Sequence, residues 1–99
     1  MKIEYDDALR DYMRKKGMSA IAVEVVSSNS DFEVTELFVH LIRDSQVDYF
    51  KQKKNFRGVR GELGEVLLPP YRLEYSDTVR FSLKKFWIFH SVRQEGIRL

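Results

Sequence analysis

The chain has 99 residues, with 17 Lys+Arg against 15 Asp+Glu, 43% apolar residues and no cysteine. At that length a single domain over residues 1–99 with one modest core is expected. The absence of thiols excludes disulfides, thiolate zinc sites, cysteine-ligated iron–sulfur clusters and thiol nucleophiles.

Lys2-Ile3-Glu4-Tyr5 alternates polar and apolar residues and predicts a short first strand. Asp6 or Asp7 then caps a helix running to about Lys16. Its apolar positions are Ala8, Leu9, Tyr12 and Met13, its last turn is basic, and Gly17 supplies a left-handed stop. Ala20 to Val26, rich in β-branched residues, predicts a buried strand ending at the turn formers Ser27-Ser28-Asn29-Ser30-Asp31. The next segment fits two patterns. Val34, Leu37, Phe38, Leu41 and Ile42 form a helical stripe with Ser30 and Glu33 as a capping box, whereas Leu37 to Ile42 also fits a buried strand, which is preferred. From Asp44 to Gly64 periodicity fades, and a long, mobile, basic loop or irregular hairpin is expected. Glu65 to Leu68 predicts a strand stopped by Pro69-Pro70, with a short helical turn at Tyr71-Arg72-Leu73. Thr78 to Leu83 alternates as a strand, and Ser91 to Leu99 as a closing strand or tight hairpin, with Phe86-Trp87-Ile88-Phe89 between them as an aromatic core plug. The expected core is Ile3, Leu9, Tyr12, Ile21, Val23, Val25, Phe38, Leu67, Phe81, Leu83, Phe86 and Ile97.

Charge is unevenly placed. Residues 1–42 carry five basic and eight acidic side chains, and residues 43–99 carry twelve and seven. Lys51, Lys53, Lys54, Arg57 and Arg60 interleave with Phe50 and Phe56, a mixture that single-stranded nucleic acid binders use for phosphates and base stacking, although a solvated charged segment is the commoner meaning. His40 and His90 lie 50 residues apart with apolar flanks, which favours satisfied core or boundary histidines over a His/carboxylate metal site. Ser27, Ser28 and Ser30 lack a Gly-x-Ser-x-Gly elbow and suit a turn. The glycines at 58, 61 and 64 match neither a phosphate-binding loop nor a dinucleotide fingerprint. Apolar runs are far shorter than the roughly 20 residues of a membrane span, and the acidic start lacks the form of a secretory signal, so a soluble cytoplasmic protein without a membrane partner is expected.

Three pieces carry a family likeness. They are the opening Met1-Lys2-Ile3-Glu4 with Ala8, Tyr12 and Lys15-Lys16-Gly17, the middle Gly64-Glu65-Val66-Leu67-Leu68, and the ending Val79 to Phe89 followed by Glu95-Gly96-Ile97-Arg98-Leu99. Together they resemble the small HesB-like proteins of the CC/Se-motif group, relatives of the A-type iron–sulfur carriers. The resemblance implies a compact, β-rich α+β fold with an N-terminal helix and supports a strand at Glu36 to Ile42. It places the family's cysteine motif at Ser27, Ser28, Asn29 and Ser30, where no thiol stands, and serine or asparagine cannot replace thiolate ligands at neutral pH. The expectation is a noncatalytic binding or interaction domain without cofactor or metal. Its contact surface is expected at Lys51, Lys53, Lys54, Phe56, Arg57, Arg60 and Trp87, and its partner to be a protein, with a homodimer as one form. Nucleic acid binding through residues 51–60 and a metal-dependent protein using His40 and His90 are the alternatives.

Overall fold

The computed structural model describes residues 1–29 and 33–99. In chain order its elements are β1 (Lys2–Tyr5), α1 (Asp7–Lys16), β2 (Ala20–Asn29), β3 (Glu33–Ile42), α2 (Asp44–Lys53), β4 (Arg57–Arg60), β5 (Glu65–Leu68), β6 (Glu74–Phe86) and β7 (Phe89–Arg98). They form one sheet in the order β1-β6-β7 and a second in the order β3-β2-β5-β4, giving the α+β class expected from the sequence.

Local chemistry sets the first elements. Asp6 accepts the Leu9 N–H at 2.8 Å and starts α1. Gly17, at φ 67, ends it with the paired carbonyl contacts of a Schellman motif, Gly17 N–H to Arg14 and Met18 N–H to Met13. Leu9 and Met13, one turn apart, are buried. Strand β1 runs parallel to β6, pairing Ile3 with Val79 and Tyr5 with Phe81. Strands β2 and β3 pair in antiparallel register from Ala20–Ile42 to Asn29–Glu33, so Ser27, Ser28 and Asn29 continue the strand that the sequence ended at Val26. Ser30 lies outside the described residues.

Alternation along β2 divides the interior. Ile21 and Val23 face the larger core with Tyr5, Leu9, Met13, Val66, Leu68, Val79, Phe81 and Ile97, filling the space between α1 and the two sheets. Ala20 and Ala22 face the other way, where Ile42, Phe50, Phe56 and Leu67 form a second cluster beneath α2. The small alanines leave room for that helix. Strand β5 therefore buries Val66, Leu67 and Leu68 on both faces, which is why it is a continuous apolar run.

Several expectations are corrected. Residues 44–64 are not one long loop, and the hairpin alternative holds only from Arg57 onward. Helix α2 covers Asp44–Lys53, and β4 pairs with β5 from Arg57–Leu68 to Arg60–Glu65. The turn between them holds Asn55 at φ 58, from which the Phe56 N–H returns to the Phe50 carbonyl at 3.0 Å. Tyr71-Arg72-Leu73 forms a bend followed by irregular chain, not a helical turn. Of the expected core, Leu9, Ile21, Val23, Leu67, Phe81 and Ile97 are buried, and Ile3, Tyr12, Val25 and Leu83 are half-buried. Phe38 and Phe86 are exposed, Phe38 because it pairs with Glu24 on the face turned from the larger core.

Candidate functional site

Strands β3 and β7 are the outer strands of their sheets, each hydrogen-bonded on one side. Their open edges border a groove of about 920 Å³. Half-buried Leu37, Val39 and Leu41 from β3 and Leu83 and Val92 from the other sheet line it, while His40, His90, Arg93 and Glu36 give it a polar rim. An open strand edge presents unpaired backbone N–H and C=O groups, so the groove offers main-chain hydrogen bonds beside aliphatic and polar side chains.

Both histidines reach this groove, but neither is a core group. His40 Nε2 lies 3.1 Å from Glu24 Oε2 on the sheet face that carries α2, and Glu24 Oε1 accepts from Lys54 Nζ at 2.8 Å. That hydrogen bond raises the Lys54 ammonium above its usual range. His90 is exposed and stacks on Tyr12 with ring centroids 4.7 Å apart. Among the described residues no three His, Cys, Asp or Glu side chains converge as a metal site would require.

The basic segment is divided by the fold. Phe50 and Phe56 meet edge to face at 5.2 Å and are buried, so neither presents an open ring for base stacking. The sequence pattern misled because Phe56 anchors α2 from outside the helix. Lys51 binds Glu65 at 2.6 Å, Lys54 binds Glu24, and Arg57 lies over the Tyr75 ring, while Lys53 and Arg60 are exposed. No family model, curated protein or solved structure matches the chain.

The aromatic plug is likewise a surface feature. Phe86 and Phe89 are the last pair of the β6–β7 ladder, and Trp87-Ile88 is its two-residue turn. The four side chains are between 69% and 82% exposed. Trp87 sits at φ 58 while Ile88 keeps a negative φ, a pattern that resembles a II′ turn, which favours glycine at the first position.

A second polar cluster is structural. Glu62, in the β4–β5 turn, accepts the Tyr5 N–H and Arg10 Nε, and Arg10 also donates to the Tyr5 carbonyl at 2.8 Å. The hydrogen bond from Arg10 to Asp7, with the Glu62 contact behind it, raises the guanidinium pKa further. This cluster ties the turn to β1 and α1. Among the described residues no helix is long and apolar enough to cross a membrane.

Proposed function

We propose that this chain is a noncatalytic binding domain on a HesB-like scaffold that lacks the family's thiol ligands, and that it takes an extended segment of a partner protein into the β3–β7 groove. The observation that carries the reading is the groove itself, in which the outer edges of two sheets flank a lining of half-buried aliphatic side chains mixed with polar ones. A strand added to either edge gains main-chain hydrogen bonds, and side chains on alternate positions reach the floor at Leu37, Val39 and Val92. The β-rich fold with a helix after its first strand supports the scaffold assignment. Ser27, Ser28 and Asn29 lie on β2, where the resemblance places cysteines.

Selection of a random peptide library on the folded chain, followed by amide chemical-shift mapping, tests the reading. Selected peptides are expected to perturb residues 36–41 and 90–94 and to lose binding in Val39→Asp. Shifts confined to residues 51–60 would overturn it. Shifts at the groove that grow with protein concentration alone would make a second copy of the chain the occupant.

A further inference from the structure

Among the described residues the β6–β7 hairpin beyond Phe81 has no third strand, because β1 pairs only with Thr78–Phe81. Its end exposes Phe86, Trp87, Ile88 and Phe89 together, and places Trp87 in a left-handed conformation that disfavours a bulky residue. A solvent-facing turn is better served by asparagine and glycine. Behind this apolar end the charge is of one sign. Residues 82–93 contain Lys84, Lys85 and Arg93 and no acidic residue. The ladder pairs Lys84 with Ser91, Ser82 with Arg93 and Lys85 with His90. Strand alternation therefore puts Lys84 and Arg93 on one face and Lys85 and His90 on the other. Among the described residues none of these three cations is held in an ion pair.

An apolar tip with cations on both faces fits a broad, negatively charged surface with an apolar interior. We propose that this hairpin tip docks on an anionic lipid bilayer, with Phe86, Trp87, Ile88 and Phe89 entering the interface and Lys84, Lys85 and Arg93 meeting lipid headgroups. Tryptophan and phenylalanine are suited to that depth, and basic residues near an anionic leaflet strengthen the attachment. Tip-to-tip pairing of two copies would set these cations against one another. The short apolar runs that exclude a membrane span do not bear on this contact, which needs only the tip.

Trp87 is the only tryptophan, so its emission reports its surroundings directly. The full chain is mixed with phosphatidylcholine vesicles made with and without phosphatidylserine. With phosphatidylserine the protein is expected to co-sediment and its emission to shift to the blue. Lys84→Glu/Lys85→Glu should weaken attachment at least about tenfold, at about 1 kcal/mol per basic residue near the surface. Trp87→Gly/Ile88→Asn places a preferred II′ sequence in the turn, so it should raise the thermal midpoint while abolishing co-sedimentation. No co-sedimentation, equal attachment to phosphatidylcholine alone, or unshifted emission on sedimented vesicles would each overturn the proposal. Emission already blue in buffer that reddens on dilution would assign the tip to self-association and overturn it too. The wild-type emission test stands whether or not either variant folds.

Discussion

Tyr5 shows how one buried atom shapes stability. Its ring packs edge to face on Phe81, yet among the described residues its hydroxyl is buried without a hydrogen-bond partner. Leaving such a group unpaired costs about 1–3 kcal/mol, so Tyr5→Phe should stabilise the fold by about 1 kcal/mol at pH 7 in urea denaturation. Burial also pushes the phenol from 10.0 up to about 12. The unfolded chain therefore loses this proton first. The contribution is complete below pH 10 and declines as pH rises towards 12, and two pKa units correspond to about 2.7 kcal/mol. The wild type should lose stability more steeply than Tyr5→Phe in that window, and parallel declines would refute the assignment. Two glycines separate steric from conformational need. A Cβ at Gly64 would meet the Ser19 carbonyl oxygen at 2.4 Å, whereas one at Gly17 meets nothing within 4 Å but inherits φ 67. Gly64→Ala should cost about 2–3 kcal/mol because backbone must move, and Gly17→Ala about 1 kcal/mol. Thermal melts that reverse this order would contradict the packing.

Among elements, α1 is the one whose ends are written most fully in local sequence. Asp6 accepts the Leu9 N–H and makes a longer contact, at 3.4 Å, with the Leu83 N–H, joining the helix start to β6. Asp6→Ala should cost about 1 kcal/mol by chemical denaturation and Asp6→Asn much less, since asparagine caps about as well. Equal losses would mean that the carboxylate charge matters more than the cap. Strands β1, β2 and β5 were legible because alternation and β-branched runs coincide with their burial. Helix α2 was not, since it buries only Phe50, with Val47 half-buried, and its other positions are polar apart from the exposed Tyr49. Asp44 at the start, Gln46 accepting the Arg43 N–H at 3.0 Å and basic residues in the last turn were the available signals. The β6–β7 tip was misread because four large apolar residues usually mean a core, and none of the usual turn residues marks this one.

Across the whole molecule the two clusters are unequally secured. The larger one gathers side chains from α1, both sheets and five strands, and the smaller depends on one helix lying on one sheet face. The sequence disclosed the class, and half of the residues it assigns to the core are buried, because burial on β2, β5 and α1 follows local periodicity. It did not disclose the groove, which exists only because the outer strands of two separate sheets come to lie side by side. Nor did it separate Phe56 from its basic neighbours, since the partners that bury it, Phe50 and Leu67, belong to α2 and β5. This arrangement predicts two levels of opening. Phe50 carries most of the apolar contact of α2, so Phe50→Ala should cost about 3 kcal/mol and release residues 44–53, while Ile21, Val66 and Phe81 stay packed in the larger core. Native-state hydrogen exchange should then show the α2 amides losing protection with the β2 and β6 amides still slow. If all three elements lose protection together, the clusters form one cooperative unit and the division fails. The helix would then be secured by more than Phe50, the ion pairs of Lys51 with Glu65 and Lys54 with Glu24 included. Both are partly open to solvent, and such pairs are worth little singly, so raising the salt concentration should leave α2 protection nearly unchanged in the wild type.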